Sequence, residues 1–403
     1  MPASKPPVNV KSAEDRLMRY LAIEGVSGEE QDIAAAVVAD LKALGVPASA
    51  IKYDTAHKRI PLPTQTGNLF VNLPGTPGRK GPRLAFATHL DTVPLCAGAK
   101  PKRVGKKIVP AGKTALGGDN RTGCAVLVTL AETLIRNKLP HPPITLVFTV
   151  REESGLQGAR FMDTKFLGKA AMCFNVDSKV PADLITGAVG AERWDVEIEG
   201  KASHAGVAPE KGISSMLVAS LALAEARRGG WFGKVVKGTK RGTSNPGIFS
   251  GRDGRPAGNA TNVVTDYVHV RGETRSADAR FAARITAAYK AAFIKAGKEV
   301  KDDTGGTAKV KFQGRSEYPP FRMPDNAPAV QHAIRAARSM GLQPRTLFSN
   351  GGLDANWFAK YNLPTVTIGA GQHDIHTVKE YVYLPEFADG CRLAVALATL
   401  DQG

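Results

Sequence analysis

Long apolar runs, paired cysteines and aromatic residues are all scarce in this chain. No apolar segment approaches the roughly 20 residues that a membrane-spanning helix needs. Residues 1–16 (MPASKPPVNVKSAEDR) also lack the apolar stretch of a secretory signal. A soluble, cytoplasmic protein with no membrane partner is expected. The four cysteines, Cys96, Cys124, Cys173 and Cys391, form no C-x-x-C pair and are scattered over 403 residues. That spacing argues against a thiolate zinc site and against a disulfide framework, leaving buried thiols as the expectation. Aromatics are 6% of the chain, and its 54 Lys and Arg against 37 Asp and Glu give a net charge of +17. The basic residues are dispersed through segments such as 100–113 and 234–241 rather than gathered in one block interleaved with aromatics. A nucleic-acid partner is therefore not expected. The charge reads as a solvated surface that also attracts anionic molecules. No internal repeat or low-complexity tract is visible.

What is present is enough apolar residue, 43%, for a sizeable core, in a chain long enough for two domains. Helical spacing occupies 17–23 and 33–44, separated by the break Gly25-Val26-Ser27-Gly28 and closed by Gly45 and Pro47. Short apolar runs at 68–73, 83–88, 144–150 and 173–176 read as strands, with a helix over 123–139. Alternating strands and helices predict an α/β class with a central mixed sheet and helices on both faces. Near Gly187 the texture changes. The alternation WDVEIE at 194–199 is followed by a helix (213–228), a strand at 247–250, a strand (267–274), a helix (278–300) and a strand (308–312). This order predicts an inserted α+β domain of ferredoxin-like β-α-β-β-α-β type. The chain then returns to helix (327–340), strand (365–368) and helix (384–400). The expected boundaries are 1–188 and 317–403 for a catalytic domain, with 189–316 inserted as a lid.

The chemistry-bearing residues gather after predicted strands, where sites form in open α/β sheets. THLDTVP supplies His89 and Asp91, which period-two alternation puts on one side of the chain. LGGDNRTG supplies Asp119, REESG the pair Glu152 and Glu153, and NVDS supplies Asp177. TIGAGQHDIHTVKEYV supplies His373 and His376. A neutral imidazole suits zinc, and a neighbouring carboxylate can fix its tautomer. Two adjacent carboxylates repel when both are charged, a cost that a metal relieves or that suits one of them to act as a base. Each motif alone has a bland reading as a capping or surface feature, and His57, His141, His269 and His332 read as structural or solvated. The joint occurrence of nitrogen and oxygen ligands at five strand ends points to zinc, with manganese or cobalt as alternatives.

The ordered set THLDT, GGDN, EESG, VDS, HAGVAPEKG, GGLDAN and HTVKEYV, from about His89 to Val382, closely resembles the dinuclear zinc peptidases of the peptidase T type. That group stands with glutamate carboxypeptidase, acylase-like deacylases and succinyl-diaminopimelate desuccinylase. The resemblance implies two metal ions per subunit. Asp119 would bridge them, His89 and Asp177 would complete one ligand set, and Glu153 and His376 the other. It implies Glu152 as general base toward the attacking water, and Asp91 behind His89. It also implies a cis peptide after Asp119. His376 is preferred over His373 because the family pattern places the ligand before Thr377. In the inserted domain His204 resembles a histidine that stabilises the tetrahedral intermediate, often across a dimer. Asn262 and Arg275 resemble residues that bind the substrate carboxylate, although a solvated strand arginine is a competing reading for Arg275. Gly351 and Gly352 resemble a substrate-lining loop or an ordinary turn. A homodimer through the lid is expected by family habit.

An Asp at position 177 accompanies aminopeptidase and dipeptidase activity in the family, whereas Glu accompanies carboxypeptidases and deacylases. The expected activity is therefore removal of the N-terminal residue from short peptides, above all tripeptides. The alternative is an N-acyl amino-acid deacylase or carboxypeptidase on the same scaffold. A phosphoesterase fits the Glu-Glu pair and inserted lid poorly. A basic nucleic-acid-binding protein leaves the ordered ligand set unexplained.

Overall fold

The apolar runs that read as strands are buried on both faces, and this dictates how the rest of the chain must fold around them. In the computed structural model, which describes residues 5–401, Leu84–His89, Ile144–Thr149 and Met172–Val176 have no exposed position. A strand without a polar face must be covered above and below. Residues 1–4, the start of the segment read as lacking a secretory signal, lie outside the described residues.

Contacts divide the described chain into two compact units, residues 1–188 with 322–403, and residues 189–321. The first is built on a mixed sheet. Across it run Ile51–Tyr53, Leu69–Leu73, Ile144–Thr149, Leu84–His89, Met172–Val176, Thr365–Ile368 and Asp183–Ala188, with Arg345–Ser349 parallel to the last. Leu84–His89 is parallel to both of its neighbours, and Thr365–Ile368 is parallel to Met172–Val176. Alternate side chains separate the two covered faces. Leu84, Phe86, Leu146, Phe148, Phe174 and Val176 join the larger apolar cluster, while Ala85, Ala87, Val147 and Cys173 join a smaller one with Phe358. The helix Gly118–Arg136 is buried over almost its whole length and packs against the helices Val10–Leu21, Gln31–Ala43 and Leu384–Thr399. All four cysteines are buried and free.

A buried ion pair ties the N-terminal helix to this centre. The Arg16 guanidinium lies 2.7 Å from Glu132 Oε2 and donates to Thr129 Oγ1 at 2.7 Å, and Arg16 Nε reaches Asp40 Oδ2 at 3.4 Å. Asp40 also accepts the Tyr20 hydroxyl at 2.8 Å. Burial pushes the Glu132 carboxyl up, but Arg16 more than offsets this and holds it below the ordinary glutamate value.

The second unit contains a five-stranded antiparallel sheet in the order Gly233–Lys237, Lys240–Ser250, Tyr267–Ser276, Gly190–Glu199, Lys309–Tyr318. Its helices Ser215–Arg228 and Ala279–Glu299 supply the apolar cover. Ser214 caps the first by accepting from Leu217 N, and Asp278 caps the second by accepting from Arg280 N and Phe281 N. Trp194 is the centre of this core, stacked on Tyr289 at 4.7 Å and on Phe312 at 5.8 Å. Across the strand pair Gly272 faces Trp194, and a Cβ there would lie 2.2 Å from the indole. The difference from the expected order is one added edge strand, Gly233–Lys237, turned back as a hairpin with Lys240–Ser250. Its residues, GKVVK, are two lysines flanking two valines after a glycine.

Among the described residues no helix is long and apolar enough to cross a membrane. Truncating Arg16 to Ala removes the buried cation of Glu132 and leaves it only the exposed Arg136, whose Nε lies 3.0 Å from Glu132 Oε1. The expected cost is about 2–3 kcal/mol, less than the full penalty of a wholly unpaired buried charge, read as a fall in the denaturation midpoint of the first unit. A loss near that of an exposed pair, about 0–1 kcal/mol, would show that the helix is not anchored by this contact.

Candidate metal centre

Parallel register decides where the polar residues meet. Because Leu84–His89, Ile144–Thr149, Met172–Val176 and Thr365–Ile368 run in one direction, their C-terminal ends deliver His89, Glu152 with Glu153, Asp177 and the 371–376 loop to one edge of the sheet. His89 Nδ1 lies 3.0 Å from the Asp91 carbonyl and 3.3 Å from Asp91 Oδ1. Its Nε2 lies 3.2 Å from Asp119 Oδ1 and 3.6 Å from Asp177 Oδ1. His376 Nε2 lies 2.9 Å from Glu153 Oε1 and 3.2 Å from Asp119 Oδ2. Asp119 thus stands between two imidazoles and turns one oxygen to each. Two sets, His89 with Glu152 and Asp177, and His89 with Asp119 and Glu153, each bring their ligand atoms within 4.8 Å of one another.

Backbone contacts hold these side chains in place. Asp91, fully buried, accepts from Ser27 Oγ at 2.6 Å and from the N–H groups of Glu152 at 2.9 Å and Glu153 at 3.1 Å. One carboxylate therefore orients His89 and fixes the turn that carries both glutamates. Asp119 sits in the non-helical start of Gly118–Arg136, where the Asp119–Asn120 bond is cis. Glu380 clamps that segment, accepting from Leu116 N at 2.7 Å, Gly117 N at 2.9 Å and Asp119 N at 3.0 Å. Asn120 donates to the Val176 carbonyl at 2.6 Å and accepts from Gly123 N at 2.9 Å. Gly123 explains the glycine in DNRTG. A Cβ there would lie 2.0 Å from Thr88 Oγ1 and 2.6 Å from the Val176 carbonyl, so a larger residue would push the helix off the strands. Gln372 Nε2 donates to Asp119 Oδ1 at 3.2 Å and to Asp177 Oδ1 at 3.3 Å.

Crowding shapes the electrostatics. Burial, aided by Asp119, pushes the Glu153 carboxyl up to about 8 and Asp177 up to about 6. Burial, with Asp177 and Glu153 adding, lifts Glu152 well above the ordinary value. For Asp119 burial acts upward too, but hydrogen bonds from His376 and His89 outweigh it and hold it low. Hydrogen bonds to Asp119 and Glu153 raise His376 to about 10. Among the described residues the ion-pair partners of Asp119, Glu153 and Asp177 are the two histidines, with no lysine or arginine. A donor set of carboxylates and imidazoles, left negative and converging, fits one or more divalent cations.

The structure therefore brings together His89, Asp91, Asp119, Glu152, Glu153, Asp177 and His376. It also separates the two C-terminal histidines. His373 Nε2 meets Glu386 Oε2 at 2.5 Å and its ring stacks on Tyr381, while His376 faces Glu153 and Asp119. Gly351 donates from its N–H to Ser349 Oγ at 3.0 Å, and it and Gly352 are half-buried in the loop before Ala355–Lys360. In the second unit His204 is exposed and bridges Val263, and Ala205 N donates to the Asn262 carbonyl at 2.9 Å. Arg275, on Tyr267–Ser276, is held by Glu273 at 2.9 Å.

Three polar residues in the first unit escape a reading of the sequence. Glu380 and Gln372 each stand singly in their motif. Asp354, in GGLDAN, is fully buried and accepts from Thr149 Oγ1, and burial lifts its carboxyl to about 7. The signal for Glu380 was its place four residues after His376, on the lip of the same loop.

The chain is similar in sequence and fold to known proteins. The family model described as Peptidase family M20/M25/M40 matches residues 85–400. The aminopeptidase PepT of Bacillus cereus is 31% identical with a TM-score of 0.83, covering 97% of this chain and 98% of that one. A tripeptidase of Staphylococcus aureus is 26% identical with a TM-score of 0.86, over 97% and 98% of the two chains. An uncharacterised protein, YqjE, of Bacillus subtilis is 31% identical over 396 residues, 97% of this chain and 98% of its own.

The raised groups set a pH dependence. The bonded pair of Glu153, raised to about 8, and His376, raised to about 10, holds at least one proton at neutral pH in the metal-free protein, and a cation must displace protons from its ligands. Metal affinity is expected to rise from pH 6 to pH 8, with about one proton or more released per protein at pH 7. Calorimetry in buffers of differing ionisation enthalpy measures that release. Uptake without proton release would place the cation on other groups.

Proposed function

The chain belongs to peptidase family M20/M25/M40, and we propose that it is a metal-dependent exopeptidase that removes the N-terminal residue of short peptides, above all tripeptides. One observation carries this reading. Two adjacent glutamates leave the same strand into different surroundings, Glu153 bonded to His376 and Glu152 buried beside His89 and Asp177. Adjacent acids so separated can divide the roles of ligand and base. The aminopeptidase PepT and the tripeptidase reported above favour peptides as substrates, and the Asp at 177 favours an aminopeptidase over a deacylase or carboxypeptidase.

In this reading His89 with Asp177, and Glu153 with His376, would hold two zinc ions, with Asp119 turning one oxygen to each pair. Manganese or cobalt would suit the same donors. The ions supply acidity to water and polarise the scissile carbonyl. The chain supplies the rest. Asp91 fixes the His89 ring through Nδ1, leaving Nε2 to face Asp119 and Asp177. Glu152 takes a proton from the attacking water and delivers it to the leaving amine. His204 is assigned as a donor to the oxyanion, and Asn262 and Arg275 as partners of the peptide carboxylate. Gly351 and Gly352 line the substrate. The protein is read as a cytoplasmic homodimer associating through residues 189–316.

Tripeptide hydrolysis by purified, metal-loaded protein tests the assignment. A chelator is expected to abolish it, and Glu152→Ala to lower kcat by about 100- to 10,000-fold with metal content unchanged. Intact tripeptides beside cleaved N-acyl amino acids would transfer the protein to the deacylases on the same scaffold.

A further inference from the structure

Within the centre one uncharged side chain touches two of the carboxylates at once. Gln372 is 2% exposed and stands on a short strand, Gln372–His373, whose register sets it opposite Val382. That strand belongs to a four-stranded sheet with Tyr381–Tyr383, Lys107–Pro110 and Pro101–Val104. Asp177, by contrast, stands just beyond the strand Met172–Val176, and Asp119 in the non-helical start of Gly118–Arg136. Gln372 Nε2 donates to Asp119 Oδ1 at 3.2 Å and to Asp177 Oδ1 at 3.3 Å. Its Oε1 accepts from Thr122 Oγ1 at 2.7 Å. This third contact orients the amide, because the reverse orientation would set its oxygen against two carboxylate oxygens.

We propose that Gln372 is a positioning residue for the metal held by His89 and Asp177, fixing the two carboxylates that converge on the His89 imidazole. The proposal rests on the two-metal reading above. The oxygens that Gln372 holds, Asp119 Oδ1 and Asp177 Oδ1, are the ones nearest His89 Nε2, at 3.2 Å and 3.6 Å. The other Asp119 oxygen, Oδ2, faces His376 and is not touched by the amide. Gln372 thus acts on one side of the pair. Its neutrality matters. A lysine here would bind both carboxylates but would neutralise them and compete with the incoming cation. An amide orients them and leaves their charge in place. Outer hydrogen bonds of this kind are worth about 10- to 100-fold in metal affinity.

The test is a zinc titration of the full-length, metal-stripped protein against a chromophoric chelator, on wild type, Gln372→Met and Gln372→Asn. Met keeps the length and removes both donors. Asn keeps the amide but is one methylene too short to reach both carboxylates, and it serves where the Met variant does not fold. Either variant is expected to weaken one of two zinc equivalents by about 10- to 100-fold, leaving the other within about threefold. Two unchanged equivalents, or equal weakening of both, would overturn the proposal. A wild-type protein that binds fewer than two equivalents would instead overturn the two-metal reading, and this inference with it.

Discussion

Asp91, Asp119, Glu152, Glu153 and Asp177 are drawn into a space around His89 too small to hydrate their charges, and the surrounding structure answers to that repulsion. Five like-charged groups with few water contacts raise one another's proton affinity. The fold disposes of part of the cost internally. Asp91 directs its oxygens at a serine hydroxyl and two backbone N–H groups as well as at His89. It is thereby held below the ordinary aspartate value although burial pushes it upward. Glu380 turns its oxygens to three N–H groups before and at Asp119, which offset only part of the upward push of burial. The carboxylates that remain, with only imidazoles and the neutral Gln372 amide against them, are the ones a cation can satisfy.

Bringing these groups so close demands unusual packing beneath them. The helix Gly118–Arg136 has to begin against the strand ends for Asp119 to reach His89 and His376. Gly123 makes that approach sterically feasible, and Asn120 ties the first turn to the Val176 carbonyl. The same helix is fixed from behind by the N-terminal helices, through Arg16 and Glu132. The centre therefore depends on contacts that reach back to the beginning of the described chain.

Much of this was legible in the sequence because strand ends leave a local mark. An apolar β-branched run followed at once by His-x-Asp, Glu-Glu or Asp carries both the element and its terminal side chain, so His89, Glu152, Glu153 and Asp177 could be placed from short windows. The hairpin Pro101–Val104 with Lys107–Pro110 was not legible. Its lysines and arginine masked a pattern in which only Ile108 is buried. Asp183–Ala188 and Arg345–Ser349 were missed as well; the second has no fully buried position to mark it. Gln372 and Glu380 went unseen for a different reason. Their partners lie 195 to 264 residues away in the chain, and a single amide or carboxylate beside a histidine motif carries no periodic signal. The two C-terminal histidines show the same limit. Spacing alone leaves both in reach of the centre, and it is the stacking of His373 on Tyr381 with its bond to Glu386 that commits it elsewhere.

The charge balance of the chain joins these points. A protein with a net charge of +17 has ample means to neutralise five carboxylates, yet the arginines nearest in sequence are turned away from them. Arg121, buried beside Asp119 in the chain, directs its guanidinium at the carbonyls of Tyr20, Ile23, Gly25 and Leu90. Arg151, immediately before Glu152, donates to the Pro63 carbonyl, Thr64 Oγ1 and Ser154 Oγ. Both arginines brace the loops around the centre through neutral acceptors. An arginine paired to Glu153 or Asp177 would have been a permanent internal cation and would have closed the ligand set. Positive charge is instead left on the surface, where it favours the approach of a peptide bearing a free carboxylate, and the interior keeps the negative donors that a metal requires.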